Sequence, residues 1–222
     1  MTQPRLFRLM MVKRMKMRIA RDGIPAVTFL ALCTGAFAFL SWIPAVIMGL
    51  LLCLVIWFFR DPERVTDYKD GCFYSPADGQ IVEISECDHK FAGHAVKVGI
   101  FMNIFSVHVN RAPCAGRVDY LEYIPGKKIA AFSPKASEIN ERNFVGMSTQ
   151  WGAVMMVQIA GLVARRIVCR LKRGDVLDAG QRYGMIKLGS RVDLYMPCDT
   201  VIRVKPGDKV KAGISLIGVI KV

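Results

Sequence analysis

Gly174-Asp175-Val176-Leu177-Asp178-Ala179-Gly180 is matched further along the chain by Gly207-Asp208-Lys209-Val210-Lys211-Ala212-Gly213. Each copy reads as a Gly-Asp turn, a short strand and an Ala-Gly turn. A second pair, Pro76-Ala77-Asp78-Gly79-Gln80-Ile81 and Pro113-Cys114-Ala115-Gly116-Arg117-Val118, repeats in the same manner. Around these turns lie short runs rich in Val and Ile and bounded by Gly and Pro: 80–85, 95–102, 117–124, 153–159, 166–171, 191–195, 201–204 and 216–222. Such runs predict β-strands joined by tight turns. Only Lys135–Asn143, which follows Ser133-Pro134, predicts a helix. Residues 60–222 are therefore expected to form a mainly β domain.

The repeated turns resemble those of lipoyl- and biotinyl-type domains, which implies a barrel-sandwich-hybrid-like architecture with little helix. Ordinary β-turn chemistry produces a similar pattern, so the repeats alone leave the architecture open.

The N-terminal part has a different texture. Residues 1–23 carry seven Arg and Lys against the single acid Asp22, interleaved with Leu, Met, Phe, Val and Ile. This predicts a basic amphipathic segment on an anionic membrane surface. Residues 24–59 contain no charged residue at all. As one helix they would run about 54 Å, against a hydrocarbon core of roughly 30 Å. Pro44, preceded by Ser41 and Trp42, interrupts the run, so a helical hairpin serving as a hydrophobic membrane anchor is expected. Positive residues flank both ends, which places both on the cytoplasmic side of the cell membrane.

The net charge of +13 calls for an anionic partner. Nucleic acid is not expected, because neither zinc-finger spacing nor an aromatic-interleaved basic stripe occurs. The seven cysteines are odd in number and show no CxxC. That pattern fits scattered reduced thiols rather than a disulfide framework, and no metal-ligand spacing is present.

The stretch that could carry chemistry is Tyr183-Gly184-Met185-Ile186-Lys187-Leu188-Gly189-Ser190-Arg191-Val192-Asp193. Gly189-Ser190 can be a plain turn between strands. It can also be reactive: a serine hydroxyl held against the preceding carbonyl can draw the Gly189 acyl group from nitrogen to oxygen. Glycine leaves that approach unobstructed and tolerates unusual backbone angles. Elimination from the ester and loss of ammonia would leave a pyruvoyl group at position 190, with the chain cut into 1–189 and 190–222. His108 is the candidate acid–base group, because histidine titrates near neutrality. Asp78 is either a turn residue before Gly79 or part of the same chemistry. Asn140 and Arg142 either line a site, with the guanidinium forked onto a lipid phosphate, or form a helix-end polar cluster.

Four segments together resemble one known family. They are Leu188-Gly189-Ser190-Arg191-Val192-Asp193, Ser75-Pro76-Ala77-Asp78-Gly79, the run from Lys135 to Asn143, and Phe105-Ser106-Val107-His108-Val109-Asn110-Arg111-Ala112-Pro113. In order and spacing, from about Phe58 to Val222, they are similar to the short-form, pyruvoyl-dependent phosphatidylserine decarboxylases. The resemblance implies autocatalytic cleavage at Gly189-Ser190 and a pyruvoyl group made from Ser190 that takes up the substrate amine. It also implies a heterodimer of the two cleavage chains, a phospholipid substrate, and release of carbon dioxide at the membrane to give phosphatidylethanolamine. The long-form enzymes carry two histidines around the His108 segment and Ser-Thr at the processing site. This chain has one histidine and Ser190-Arg191, which leaves an Asp78–His108–Ser190 triad open. Another serine-headgroup lipid such as archaetidylserine would fit the same residues. A membrane-tethered adaptor with a carrier-like β domain would account for the repeats alone.

Overall fold

The computed structural model describes residues 17–65, 67–127, 129–131, 133, 136–162, 166–187 and 189–221. These fall into two compact units that divide between Arg64 and Val65.

In the first unit the uncharged stretch forms two 17-residue helices, α1 (Ile24–Leu40) and α2 (Trp42–Phe58), packed against each other. Ser41 between them is extended, with φ −162° and ψ 138°. The break thus precedes Pro44, which sits in the first turn of α2 where a missing N–H has no helical partner to lose. Leu30 and Phe58 are the only residues of the two helices classed as buried. Counted from Arg21, the first helical segment is 20 residues long with a mean hydropathy of 1.9. By length and composition it is able to cross a membrane. Strand β1 (Met17–Ile19) pairs antiparallel with β2 (Arg60–Pro62), setting Arg18 opposite Asp61. Arg18 also meets Glu63 at 3.2 Å. The chain therefore enters and leaves the hairpin side by side. Of the basic segment expected over 1–23, residues 1–16 lie outside those described.

The second unit is mainly β; across the protein, strand accounts for 46% and helix for 21%. Its strands are β3 (Cys72–Tyr74), β4 (Gly79–His89), β5 (Gly93–Met102), β6 (Val109–Arg111), β7 (Gly116–Ile124), β8 (Arg142–Thr149) and β9 (Gly152–Ala160). They continue with β10 (Arg166–Cys169), β11 (Val176–Leu177), β12 (Arg182–Lys187), β13 (Ser190–Pro197), β14 (Thr200–Ile202), β15 (Lys209–Val210) and β16 (Leu216–Ile220). Eight of them form a sheet curled into a half-barrel, in the order β11-β7-β8-β9-β13-β5-β4-β15. Two three-stranded sheets, β10-β12-β6 and β14-β16-β3, accompany it.

The large sheet is buried on both faces at its centre. From β13, Val192, Leu194 and Met196 join the main core with Ile100, Met102 and Met156. On the reverse face Tyr195 packs with Phe144, Met155, Val157 and Ile159. Burial on both sides explains why β9 reads as a nearly continuous apolar run rather than an alternating one.

The short repeats seen in the sequence belong to a much longer duplication. β15 lies on β4 as β11 lies on β7. Gly207 N–H donates to Ile81 O and Gly174 N–H to Val118 O, at 2.8 and 2.7 Å. Asp208 and Asp175 each accept from the backbone N–H three residues earlier, at 2.9 and 2.8 Å. The small sheets match as well: β12 meets β6, and β16 meets β3, through the same one-residue bulge. One copy is β6 through β12. The other is β3, β4, β5, β13, β14, β15 and β16, so this copy, which starts first in the chain, is interrupted by β6 through β12. In the uninterrupted copy a tight hairpin joins β8 to β9, with Thr149 opposite Gly152. The corresponding place in the other copy, Met102 opposite Ser190, is where the hairpin has been opened.

Two local readings are corrected. The helix expected over Lys135–Asn143 is only α3, Ala136–Ile139, because Asn140 turns its amide onto other segments and Arg142 already starts β8 between β7 and β9. Strands β3 and β8 lie outside the expected runs: β3 is held by β16, distant in sequence, and β8 by β7 and β9 on its two sides rather than by local propensity.

Candidate active site

Ser190 opens β13 and stands in one row with Met102 of β5 and Ala160 of β9. It is fully buried, and its hydroxyl has no hydrogen-bond partner among the described residues. Gly189 before it has φ +54°, in the left-handed region that favours glycine. A side chain added to Gly189 would meet nothing within 4 Å, so space is open beside the Gly189-Ser190 bond.

His108 is fully buried too. Its carbonyl accepts from Ile186 N–H at 3.4 Å, which joins the His108 segment to the strand leading into Gly189. Asn110, two residues on and on the same face of the extended chain, fixes that face over the Ser190 row. Its amide nitrogen reaches Met102 Sδ at 3.9 Å and its oxygen accepts from Gln158 Nε2 at 2.9 Å. Gln158 in turn accepts from Asn143 at 3.0 Å. Only Asn103 to Val107 separate His108 from Met102, so His108 lies at the end of β5 where Ser190 stands. In the duplication Gly71 holds the matching position, its carbonyl accepting from Ile220 N–H at 2.8 Å.

Sequence reasoning missed Gly161. It follows Ala160 and continues the β9–β13 ladder opposite Gly189. A Cβ on it would lie 2.0 Å from the Gly189 carbonyl oxygen and 2.9 Å from its carbon. Any side chain here must displace the carbonyl that Ser190 would attack. Gly161→Ala is therefore expected to slow cleavage at 189–190 by about 10²-fold, the scale set by misplacing a reacting atom by an ångström. Gel electrophoresis of the freshly made chain over time measures this, with circular dichroism confirming that the strands remain.

The remaining candidates have clear placements. Asp78 lies in the turn before β4 and accepts from Ala212 N–H at 2.8 Å, anchoring one of the repeated Ala-Gly turns. Asn140 is fully buried, and its amide binds backbone throughout: Ile129 N–H at 3.0 Å, Ile129 O at 2.9 Å and Ala160 O at 2.7 Å. It thereby fixes the segment next to Gly161. Arg142 donates to Ser137 O at 2.9 Å and lies over the Phe144 ring, while its buried Nε has no hydrogen-bond partner among the described residues. His89 ends β4, where Phe91 N–H donates to it at 3.1 Å. His94 meets Asp88 at 3.0 Å on the surface.

Behind Ser190, Arg191 is buried on the reverse face of β13. Its guanidinium reaches Asp193 and Glu83, each at 2.5 Å, and Lys97 also bonds Glu83. Ser137 donates to Asp193 at 2.9 Å. Gly99 makes the room, since a Cβ there would lie 2.4 Å from Arg191 Nη2. Burial alone would raise the Glu83 carboxyl, but Arg191 and Lys97 outweigh it and hold it down to about 2. A depressed carboxyl stabilises the fold above the ordinary carboxylate range and loses that contribution as the pH falls toward 2. Glu83→Gln should therefore lose about 1–2 kcal/mol near neutrality, allowing for partial exposure. The difference from the unmodified protein should close between about pH 4.5 and 2; thermal melts across that range would show it.

The chain is similar to known proteins over most of its length. The profile of the family described as phosphatidylserine decarboxylase matches residues 51–218. A phosphatidylserine decarboxylase proenzyme of Symbiobacterium thermophilum is 43% identical over 203 residues, covering 90% of this chain and 94% of its own. A protein of the same description from Syntrophus aciditrophicus is 46% identical over 206 residues, covering 90% and 96%. One from Magnetococcus marinus is 45% identical over 211 residues, covering 91% and 95%.

Proposed function

The chain belongs to the phosphatidylserine decarboxylase family, and on that footing we propose that it cuts itself at Gly189-Ser190 and then converts phosphatidylserine to phosphatidylethanolamine and carbon dioxide. The observation that supports this most is the Ser190 hydroxyl, buried without a hydrogen-bond partner among the described residues beside a left-handed glycine. Burying a hydroxyl unpaired costs about 1–3 kcal/mol, so stability does not account for it.

In the processing step Ser190 Oγ attacks the Gly189 carbonyl carbon. The amide C–N bond breaks, the acyl group passes to oxygen as an ester, and the freed nitrogen takes a proton. Elimination then releases Gly189 as a carboxylate, and water displaces ammonia from residue 190. What remains is a pyruvoyl group on chain 190–222, paired with chain 1–189. The place suits such a group: residue 190 is buried in a row with Met102 and Ala160, and open space lies beside Gly189. When present, its carbonyl supplies the electron sink that loss of a carboxyl group from an amino acid requires.

The chain's own residues do the rest. His108 takes and returns protons at the substrate amine and at Ser190 Oγ, held over the row by the Asn110–Gln158–Asn143 amides. Asp78 is proposed as the carboxylate that orients His108. Asn140 holds the wall next to Gly161, and Arg142 offers its Nε to the lipid phosphate. The helical hairpin anchors the enzyme in the membrane, with both ends on the cytoplasmic side.

Intact-mass analysis of the purified protein, together with an assay for carbon dioxide from phosphatidylserine, tests the reading. The expected result is a C-terminal chain of 33 residues, 190–222, lacking a free amino terminus. Active protein that remains one uncut chain would overturn it.

A further inference from the structure

Apolar side chains are unevenly placed on the β unit. Nine of its large hydrophobic residues are exposed among those described, and five of them, Ile104, Phe105, Tyr123, Ile139 and Leu162, gather at one end. That end is defined by the Ser190 row. β5 leaves Met102 toward Ile104 and Phe105, and β9 leaves Ala160 toward Leu162. One row further in, Arg142 of β8 stands opposite both Ile124 of β7 and Ile159. Tyr123 and Ile139 are the exposed neighbours of those two strand ends.

Phe105, at 65% exposure, is not on a loose loop. The Asn103 side chain accepts from Phe105 N–H at 2.9 Å and from Ser106 Oγ at 3.2 Å, and Ser106 N–H donates to Asn103 O at 3.0 Å. This tight turn holds Ile104 and Phe105 outward as a pair. Leu162 is as exposed as Phe105. Among the described residues, the charges at this end are Lys127, Arg142, Arg166 and Lys187 against Glu138 and Glu141, a basic excess around apolar tips. Apolar tips rimmed by bases are suited to an anionic lipid surface.

We propose that the β unit docks on a bilayer of anionic phospholipid through these tips, with Ile104, Phe105 and Leu162 entering the interface. The inference rests on the proposed function, because a substrate whose acyl chains stay in the bilayer must bring its headgroup to a fully buried serine. Insertion of the rim lets the headgroup pass beneath it while the acyl chains remain among lipids. The contact is made by the β unit itself, separately from the hairpin.

A photoreactive benzoylphenylalanine placed at position 105 or 162 of the full chain, in vesicles of phosphatidylcholine and phosphatidylglycerol, tests the proposal. Irradiation should give lipid adducts at both positions and none at position 176, which lies in β11 at the other end of β7. Position 32 in α1 reports that the protein has entered the vesicles. Lack of adducts at 105 and 162 while position 32 labels would overturn the docking, and so would adducts to protein in place of lipid. In a second arm, Phe105→Ser combined with Leu162→Ser should cut normally and act on dispersed short-chain phosphatidylserine as the unmodified protein does. On phosphatidylserine in vesicles it should be slowed by about tenfold or more; equal rates in both assays would also overturn the proposal. Unmodified protein that fails on the short-chain lipid would count against the proposed function instead, and the cross-linking result would still decide the docking.

Discussion

Ser190→Ala is expected to remain a single chain of 222 residues with decarboxylase activity lowered by at least about 10⁴-fold, since both the nucleophile and the source of the electron sink are gone. Folding should survive, because the substitution deletes one oxygen that is buried without a hydrogen-bond partner among the described residues. Removing an unpaired buried polar atom relieves its desolvation cost, so the melting temperature should hold or rise slightly. Electrophoresis, a carbon dioxide assay and a thermal melt on one preparation check all three expectations. A variant that is cut, or one that is uncut but active, would exclude Ser190 as the source of the prosthetic group.

His108→Ala separates the two roles proposed for one side chain. If His108 handles protons during turnover, the variant should still be cut, at least in part, and decarboxylate about 10² to 10⁴ times more slowly. If His108 also deprotonates Ser190, uncut chain should accumulate. With one histidine in this segment serving both steps, slow cutting and slower turnover are expected together. Normal cutting with activity within about threefold of the unmodified protein would make His108 structural. His108 is fully buried, so yield and circular dichroism must be compared alongside.

Much of the β unit could be read from the chain because its turns are written in Gly and Asp. The Gly174–Gly180 and Gly207–Gly213 turns signal themselves twice, and both copies use aspartate to bind the N–H three residues earlier. The extent of the duplication could not be read, because β6 and β3 share almost no side chains while keeping the same backbone bulge. Backbone hydrogen bonding ignores side-chain identity, so such a likeness survives where residue matches do not. At the site, Ser190 and His108 stood out through the motifs around them. Gly161 did not, since its importance lies in an empty volume facing the Gly189 oxygen. Gln158 left a fainter signal: a lone amide inside the apolar run of β9, where an unpaired polar group would be costly. Arg142 and Asn140 were expected on one helix, and the structure gives them separate duties on a strand and a loop.

With the proposed cut at Gly189-Ser190, the opened hairpin between β5 and β13 would act as a timing device. The row around Ser190 draws on residues 93–102, 152–160 and 190–197, so no early part of a nascent chain can assemble it. The last strands to leave the ribosome must return across the whole second copy to pair with the first, and such long-range closure is slow. The proposed self-cutting would thus follow completed assembly, and the cut fraction of a sample would record how many molecules have finished folding. A destabilising change far from Ser190 should first be visible as uncut chain, before any loss of soluble protein. A single gel lane then reads folding yield and maturation together.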